Sequence, residues 1–384
     1  MRKIAMALVL AAGLLWSGAA AAQAKTVITL YVSPSGTSGA ADTSCSTAGY
    51  TAINAAITAA KSGGTVVVCK GTYDTQAVVS KPLSLVGRAG AVVNPKGQTP
   101  LTIGTTKLPG SIGIGVLSTK NVRVSGFEVL DAGFDAILVG LSSHVLVTGN
   151  VLTHNGNVGV DINGSSWSQA THNTAEYNTG GGYLVTDDIG PSSHNTVSYN
   201  LASHNPGGCG IILAGHSTFG VTDNLVAHNL LTSNGTVDGA EGPGAGVVIA
   251  TEVPGGTVAD NTVTDNTIYG NGIAGVTIHA HLPGQNLNGN RITDNTIGVN
   301  NTLGDPIDLA TSPTSKKNVA VADNRTTGIL VGSASRISVL ISDNHISSNY
   351  YGIFLEGVGK VVQASLAGNR YSKVTVQVKR VVVS

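Results

Sequence analysis

The chain has 384 residues, of which 51 are Gly, 4% are aromatic and only 11% are charged, against roughly 25% charged in an average soluble protein. Lys and Arg number 21, as do Asp and Glu, but no Lys or Arg occurs between residues 124 and 290, which hold thirteen acidic residues. An acidic centre of this length repels polyanions, so nucleic acid and strongly anionic polysaccharides are disfavoured as ligands.

The first residues are typical of an export signal. Arg2 and Lys3 precede an apolar stretch over residues 4–16, and Ala22-Gln23-Ala24 has the small residues of a cleavage site. We therefore predict a signal peptide over residues 1–24 and a mature protein that is secreted or periplasmic. No later stretch has the roughly 20 uninterrupted apolar residues of a membrane span, so we expect no membrane insertion.

Residues 25–118 are predicted to form an N-terminal cap and the first coils of a repeat protein. Residues 50–61 have helical periodicity, with Ile53, Ile57 and Ala60 on one apolar face. Such a helix would cover strand edges that otherwise promote aggregation. Cys45 and Cys69 lie in the same unit and are expected to form a disulfide, which would stabilise it by about 3 kcal/mol.

Residues 119–384 contain an irregular repeat and a final strand pattern that we interpret as a C-terminal cap. A short apolar strand, opened by Gly or Pro, recurs every 22 to 36 residues. This spacing is typical of one turn of a β-solenoid with variable loops. The opening residues are Gly159, Gly182, Gly210, Gly246, Gly275, Pro306, Gly328 and Gly352.

Pairs of Asn with four residues between them precede these strands. Stacked Asn side chains can hydrogen-bond to the coils above and below, and Asn tolerates the left-handed backbone of tight turns. We interpret these Asn as structural, together with the His residues near them. The pairs are Asn150/Asn155, Asn173/Asn178, Asn200/Asn205, Asn224/Asn229, Asn266/Asn271, Asn295/Asn300 and Asn344/Asn349.

The N-terminal region resembles the start of pectate-lyase-like proteins. A helix of the type Ala-Ile-x-x-Ala is followed by Gly-Gly-Thr-Val-x-Val at residues 63–68 and Gly-Thr-Tyr at residues 71–73. The later coils are similar to repeats of secreted polysaccharide lyases, hydrolases and epimerases, and of periplasmic accessory proteins of nitrous oxide reductase. Over about residues 40 to 370, this resemblance implies an all-β, single-stranded right-handed parallel β-helix with an N-terminal capping helix.

Strand alternation places one row of titratable residues on the outer face. Counting from the opening Gly, the sixth position is Asp188, His216, Glu252 and His281 in successive coils. Asp188 and Glu252, two coils apart, would be roughly 9.5 Å from each other, near the upper end of the separation used by inverting glycosidases. We predict that they form the acid/base pair of a polysaccharide-cleaving enzyme and that His216 assists them.

Further residues on or near this face are candidate substrate contacts, with Trp167 as a platform for sugar stacking. The set is Asp161, Asn163, Asp187, His279, His281, Asp308 and Trp167.

The reaction type is suggested by partial similarity to known motifs. Asp187-Asp188 and Gly215-His216 resemble the paired-Asp and Gly-His elements of polygalacturonase-like hydrolases, although Ser217 replaces the Gly expected after His. The central stretch has no Arg or Lys to act as a lyase base, and the Asp-Pro-His-Asp element of alginate epimerases is missing. We therefore expect a hydrolase, active as a monomer on a neutral or weakly charged polysaccharide and without a required cofactor.

Two other functions fit the same residues. His216, Glu252, His279 and His281 could hold a divalent zinc or copper ion, as the resemblance to the nitrous oxide reductase accessory proteins implies. Alternatively, the chain is a non-catalytic solenoid that binds glycans at a surface.

Overall fold

A computed structural model describes residues 28–38, 40–104, 106–237, 243–251, 253–303, 325–359 and 362–383. In this part of the chain, each coil contributes one strand to each of three parallel sheets, and the same sheet position recurs in successive coils. The chain is a right-handed parallel β-helix, and the predicted fold is confirmed. The predicted signal peptide lies outside the described residues, and the boundary at residue 118 stays a prediction.

The strands below are given in their order along each sheet, for the described residues. The first sheet contains Thr29–Val32, Gly64–Val68, Leu83–Gly87, Arg123–Ser125, Leu146–Thr148, Gln169–Thr171, Thr196–Ser198, Leu225–Ala227, Thr262–Thr264, Arg291–Thr293, Ser338–Ser342 and Gln363–Ser365. The second contains Gly71–Tyr73, Ala91–Val93, Glu128–Leu130, Val151–Thr153, Thr174–Glu176, Leu201–Ser203, Leu230–Thr232, Thr267–Tyr269, Thr296–Ile297, His345–Ser347 and Arg370–Ser372.

The third sheet contains Ala77–Val79, Ile114–Leu117, Ile137–Gly140, Val158–Asn163, Gly181–Thr186, Cys209–Gly215, Val247–Thr251, Val276–Ala280, Thr327–Ser333, Tyr351–Val358 and Val376–Val383. Two small sheets lie in the connections between these strands. One is parallel and contains Ser192–Ser193, Val221–Thr222 and Val258–Ala259; the other is an antiparallel pair, Thr102–Ile103 and Thr106–Lys107.

The third sheet corrects one part of the predicted repeat. Val276–Ala280 pairs directly with Thr327–Ser333, so the sheet has no position between them for the strand that the repeat placed at Pro306. Pro306 and Asp308 themselves lie outside the described residues.

The N-terminal unit forms as the sequence predicts. The α-helix Ile53–Ala59 buries Ile53, Ala56 and Ile57 in the solenoid core and contacts the first strands of the first and third sheets, while its role as a cap stays a prediction. Cys45, which begins the short 3₁₀ helix Cys45–Thr47, is bonded to Cys69, so the predicted disulfide is confirmed. No helix in the described residues is long and apolar enough to cross a membrane.

Stacked Asn side chains form three ladders along the solenoid, whereas the sequence pattern showed two. The ladder Asn are buried, apart from the half-buried Asn369, and each except the last of its ladder bonds to the Asn of the next coil. The third ladder precedes the first sheet, and it contains Asn224, so the predicted pair Asn224/Asn229 is wrong and Asn229 is paired with Asn234. The ladders are Asn195-Asn224-Asn261-Asn290, Asn150-Asn173-Asn200-Asn229-Asn266-Asn295-Asn344-Asn369 and Asn155-Asn178-Asn205-Asn234-Asn271-Asn300.

The residues before the ladder Asn have left-handed backbones and carry stacked rings. His172, Tyr199 and His228 have φ between +55° and +57°, and their ring centroids lie 5.2 and 4.7 Å apart along the column. A parallel column forms from residues 154, 177 and 204. Because the rings stack face to face across coils, their exposed parts are mainly edges, which supports the structural interpretation of these His.

We expect Asn200→Ala to lower the free energy of unfolding by about 2 to 5 kcal/mol. The Asn200 amide donates to the Ala170 carbonyl and to the Asn229 side chain, and its oxygen accepts from the Asn173 backbone. The substitution leaves several of these buried groups without partners, at about 1 to 3 kcal/mol each. Chemical denaturation measures the loss, and the exposed Asn288→Ala is the control; equal effects of the two would contradict a structural role for the ladder.

Candidate functional site

The candidate site lies on the outer face of the third sheet in the central coils. Strand register aligns two columns of outward side chains on this face. One column is Asp161, Leu184, Ile212, Val248 and Thr277, and the other is Asn163, Thr186, Ala214, Ala250 and His279. The floor is therefore mostly small or apolar in its middle and polar at both ends.

Long connections follow three of the strands that form this floor. The connections that follow Gly181–Thr186, Cys209–Gly215 and Val247–Thr251 are longer than the one that follows Val158–Asn163, and their small strands stack into the three-stranded parallel sheet. Asp188 and His216 lie where the first two connections leave the third sheet. The insertions thus place two titratable groups along one edge of the floor.

Asp188 and His216 are in hydrogen-bond contact at this edge, and they form an ion pair when His216 is protonated. His216 Nδ1 lies 3.0 Å from Asp188 Oδ1, and the exposed fractions of the two side chains are 50% and 41%. Asp188 Oδ2 accepts hydrogen bonds from the Asn163 amide at 2.9 Å and from the Thr186 hydroxyl at 3.2 Å. The structure therefore brings Asp188 and His216 together on the outer face and fixes the carboxylate through Asn163 and Thr186.

These contacts decide the charge of Asp188. Partial burial acts to raise its pKa, but the hydrogen bond and charge of His216, together with the bonds from Asn163 and Thr186, lower it below the usual value. Asp188 is therefore ionised at neutral pH. An ionised, half-exposed carboxylate is suited to accept a proton or to bind a positively charged group.

Asp187 has a different environment from its neighbour. Its side chain is fully buried, and its two carboxylate oxygens accept hydrogen bonds from the backbone N–H groups of His216, Ser217 and Gly220 at 2.7 to 3.0 Å. Asp187 thus holds the connection that carries His216. Because the side chain is buried, the predicted contact of Asp187 with a substrate is wrong.

Asp161 and Asn163 point outward as the alternation predicts, but both are buried, at 3% and 8% exposed. Asp161 lies between Leu138 and Leu184 of the adjoining coils. Burial, with the charges of Asp135 and Asp188, raises its pKa well above the usual range. Asn163 therefore supports Asp188 from beneath the surface, and the burial of Asp161 and Asn163 argues against direct contact of either with a substrate.

Asp135 is a further buried acid that the sequence reasoning missed. Its side chain is fully buried, accepts a hydrogen bond from the Asn157 amide at 2.8 Å, and burial raises its pKa to about 7. One oxygen of Asp135 and one of Asp161 have no hydrogen-bond partner. The strand Ile137–Gly140 that follows opens with Ala136 rather than Gly, so the Gly-based repeat pattern passed over this coil.

The structure describes some of the remaining predicted site residues. His279 is buried in the column of Ala250, and its ring lies 5.3 Å from that of His281 in an edge contact. Trp167, 55% exposed, lies on the turn that leads into the first sheet, and one face of its ring stacks on His194. Glu252 and Asp308 lie outside the described residues.

The described residues contain only part of the predicted metal-binding set. Among the residues that the structure describes, no three His, Cys, Asp or Glu side chains are arranged to hold a metal ion. The predicted set includes Glu252, which that description does not cover. Of that set, the structure describes His216, beside Asp188, and the neighbouring rings of His279 and His281.

Comparisons with known proteins agree with this architecture. Residues 112–283 match the sequence profile described as "Right handed beta helix region". Among curated proteins, no sequence matches the chain.

Solved structures with the same fold cover most of the chain. The A-module of the mannuronan C-5 epimerase AlgE4 from Azotobacter vinelandii has 17% identity and a TM-score of 0.59, covering 85% of this chain and 92% of its own. Pectate lyase Pel9A has 18% identity and a TM-score of 0.60, covering 89% and 79%. The catalytic domain of a GH87 alpha-1,3-glucanase, solved with tetrasaccharides, has 14% identity and a TM-score of 0.52, covering 86% and 66%. These similarities show the fold, a right-handed parallel β-helix.

Proposed function

We propose that the protein binds a polysaccharide on the outer face of the third sheet and hydrolyses it at Asp188. The observation that carries the proposal is the Asp188 and His216 pair, half-exposed beside a floor of small and apolar residues. Support also comes from similar folds whose names describe action on mannuronan, pectate and glucan. Such scaffolds host many activities, so the site and not the fold has to specify the reaction.

In the proposed reaction, Asp188 is the general base. Its lowered pKa keeps it ionised, so it takes a proton from a water molecule that attacks the anomeric carbon. Glu252, which lies outside the described residues and stays a prediction from the sequence, is proposed to donate a proton to the leaving glycosidic oxygen. His216 holds the orientation and charge of Asp188, and Asn163 supports the same carboxylate from below.

The substrate that suits this face is neutral or weakly charged. No Lys or Arg occurs between residues 124 and 290, so these central coils offer no Lys or Arg to neutralise a uronate chain. Ala214 and Ala250 leave space above the floor, and Ile212 and Val248 offer apolar contact to the C–H faces of sugar rings. Export is part of the proposal, and the Cys45 and Cys69 disulfide is consistent with an oxidising compartment.

The first test is to incubate the purified protein with neutral glucans and xylan, and with polygalacturonate and alginate, each with and without a chelator. Mass spectrometry of the soluble products separates the reactions, because hydrolysis adds water and a lyase leaves an unsaturated end. We expect hydrolysis of a neutral polymer, unaffected by the chelator. Unsaturated products would contradict the reaction type, loss of activity with the chelator would favour the metal hypothesis, and binding without any product would favour a non-catalytic solenoid.

A further inference from the structure

A second candidate binding site lies at the C-terminal end of the solenoid. A cavity of about 790 Å³ opens where the last strand of the first sheet, Gln363–Ser365, approaches the last strand of the third sheet, Val376–Val383. Six strand steps separate Val376–Val383 from the strand that precedes Asp188, which corresponds to roughly 29 Å at the usual strand spacing. The cavity is therefore distinct from the outer-face site.

Two guanidinium groups line this cavity. Arg336 lies in the turn before Ser338–Ser342, and Arg380 is aligned with the core residue Leu355 of the preceding coil. Arg380 Nη1 donates to the Val362 carbonyl at 3.3 Å, which fixes the side chain towards the cavity. In the described residues, the salt bridges are Lys96 with Asp131 and His216 with Asp188, and neither involves these arginines.

The two positive charges at this cavity have no carboxylate partner among the described residues, and such an arrangement favours an anion. The rest of the lining consists of the hydroxyls of Ser338 and Ser365, the amide of Gln363, and small apolar groups. Guanidinium groups bind carboxylate and sulfate by paired hydrogen bonds, while hydroxyls and amides suit sugar hydroxyls. The volume lies in the range of about 300 to 1,000 Å³ that is usual for small-molecule sites.

We propose that this cavity binds an acidic sugar residue of a glycan through Arg336 and Arg380. The site does not depend on catalysis at Asp188. It gives the protein two surfaces of opposite character, an acidic central one and a cationic terminal one.

Isothermal titration calorimetry tests the proposal with the galacturonic acid trisaccharide, its uncharged galactose counterpart, a sulfated disaccharide and a short single-stranded oligonucleotide. We expect the trisaccharide to bind, with affinity that falls as salt rises, and the galactose counterpart not to bind. Binding of the sulfated sugar as well would identify the anionic group in general as the recognised feature. Equal binding of the oligonucleotide and the trisaccharide would overturn recognition of a sugar.

Variants locate the site. Arg336→Gln and Arg380→Gln should each weaken trisaccharide binding at least tenfold, whereas Lys379→Gln should not, because Lys379 is aligned with Phe354 on the other face of the same strand. If Arg380→Gln does not fold, Arg336→Gln in the turn decides the question alone. If the folded arginine variants bind the trisaccharide with unchanged affinity, the proposal is wrong. It is also wrong if Asp188→Asn abolishes binding, because the sugar would then lie at the outer-face site.

Discussion

Asp188→Asn should lower kcat on the hydrolysed glycan by about 10²- to 10⁴-fold, the usual contribution of a general base. The amide cannot take a proton from water, yet it has nearly the shape of the carboxylate and can still accept hydrogen bonds from Asn163 and Thr186. The ion pair that is lost is half-exposed, and pairs of this kind contribute about 1 kcal/mol or less. Folding should therefore survive, which thermal unfolding of the variant checks.

The matched control is Asp265→Asn, which changes an exposed acid on a turn between the first two sheets. It should leave kcat unchanged. A pH profile adds an independent test: because the pKa of Asp188 is lowered, activity should persist on the acidic side and fall only below the ordinary range of an Asp. Full activity of Asp188→Asn in a folded protein would remove Asp188 from the reaction.

The protein should lose stability as pH rises from about 4 to above 7. Burial raises the pKa of Asp135 to about 7 in the folded chain, whereas its ordinary value, expected in the unfolded chain, is 3.8. The pKa of Asp161 is also raised in the folded chain. Between these values the folded state binds more protons than the unfolded state, so the free energy of unfolding falls with increasing pH. At about 1.4 kcal/mol for each pKa unit, Asp135 alone would account for on the order of 4 kcal/mol.

Denaturant titrations at pH 4.5, 6 and 8 measure this loss. Asp161→Asn should raise stability at pH 8 and flatten the dependence, because it removes one of two carboxyls that repel each other when ionised. Asp187→Asn is the contrasting variant: its carboxylate accepts three backbone N–H groups, so the variant should be less stable at every pH. If the free energy of unfolding still falls steeply with pH in both Asp135→Asn and Asp161→Asn, this acid pair is not the source of the pH dependence.

The sequence was sufficient for the fold because each coil repeats the same local chemistry. Apolar alternation places Val160 and Ile162 in the core, where each is about 1% exposed. The Asn pattern also predicted stacked Asn side chains. In several coils, however, three Asn, one from each ladder, follow one another at the same interval of five residues. A spacing alone could not show that Asn224 belongs to a different ladder from Asn200.

The site was harder to predict, because alternation gives the direction of a side chain and not what covers it. Asp161 points outward yet is buried between leucines of neighbouring coils. Nearby, Ile103 and Ile112 from a long connection pack on Leu138 and cover part of the same face. Whether an outward side chain is buried depends on contacts between segments that are distant in sequence. The sequence pattern of a single coil does not predict these contacts.

The three Asn ladders also affect how the molecule responds to force. In the coils between Asn150 and Asn369, ladder amides donate to side chains of the following coil, so a pull along the solenoid axis loads side-chain bonds and sheet bonds together at these coil boundaries. An internal coil can detach only by breaking two such boundaries at once, whereas a terminal coil breaks one. The solenoid should therefore unravel from its ends, and its central coils, which carry Asp188 and His216, are the last to yield.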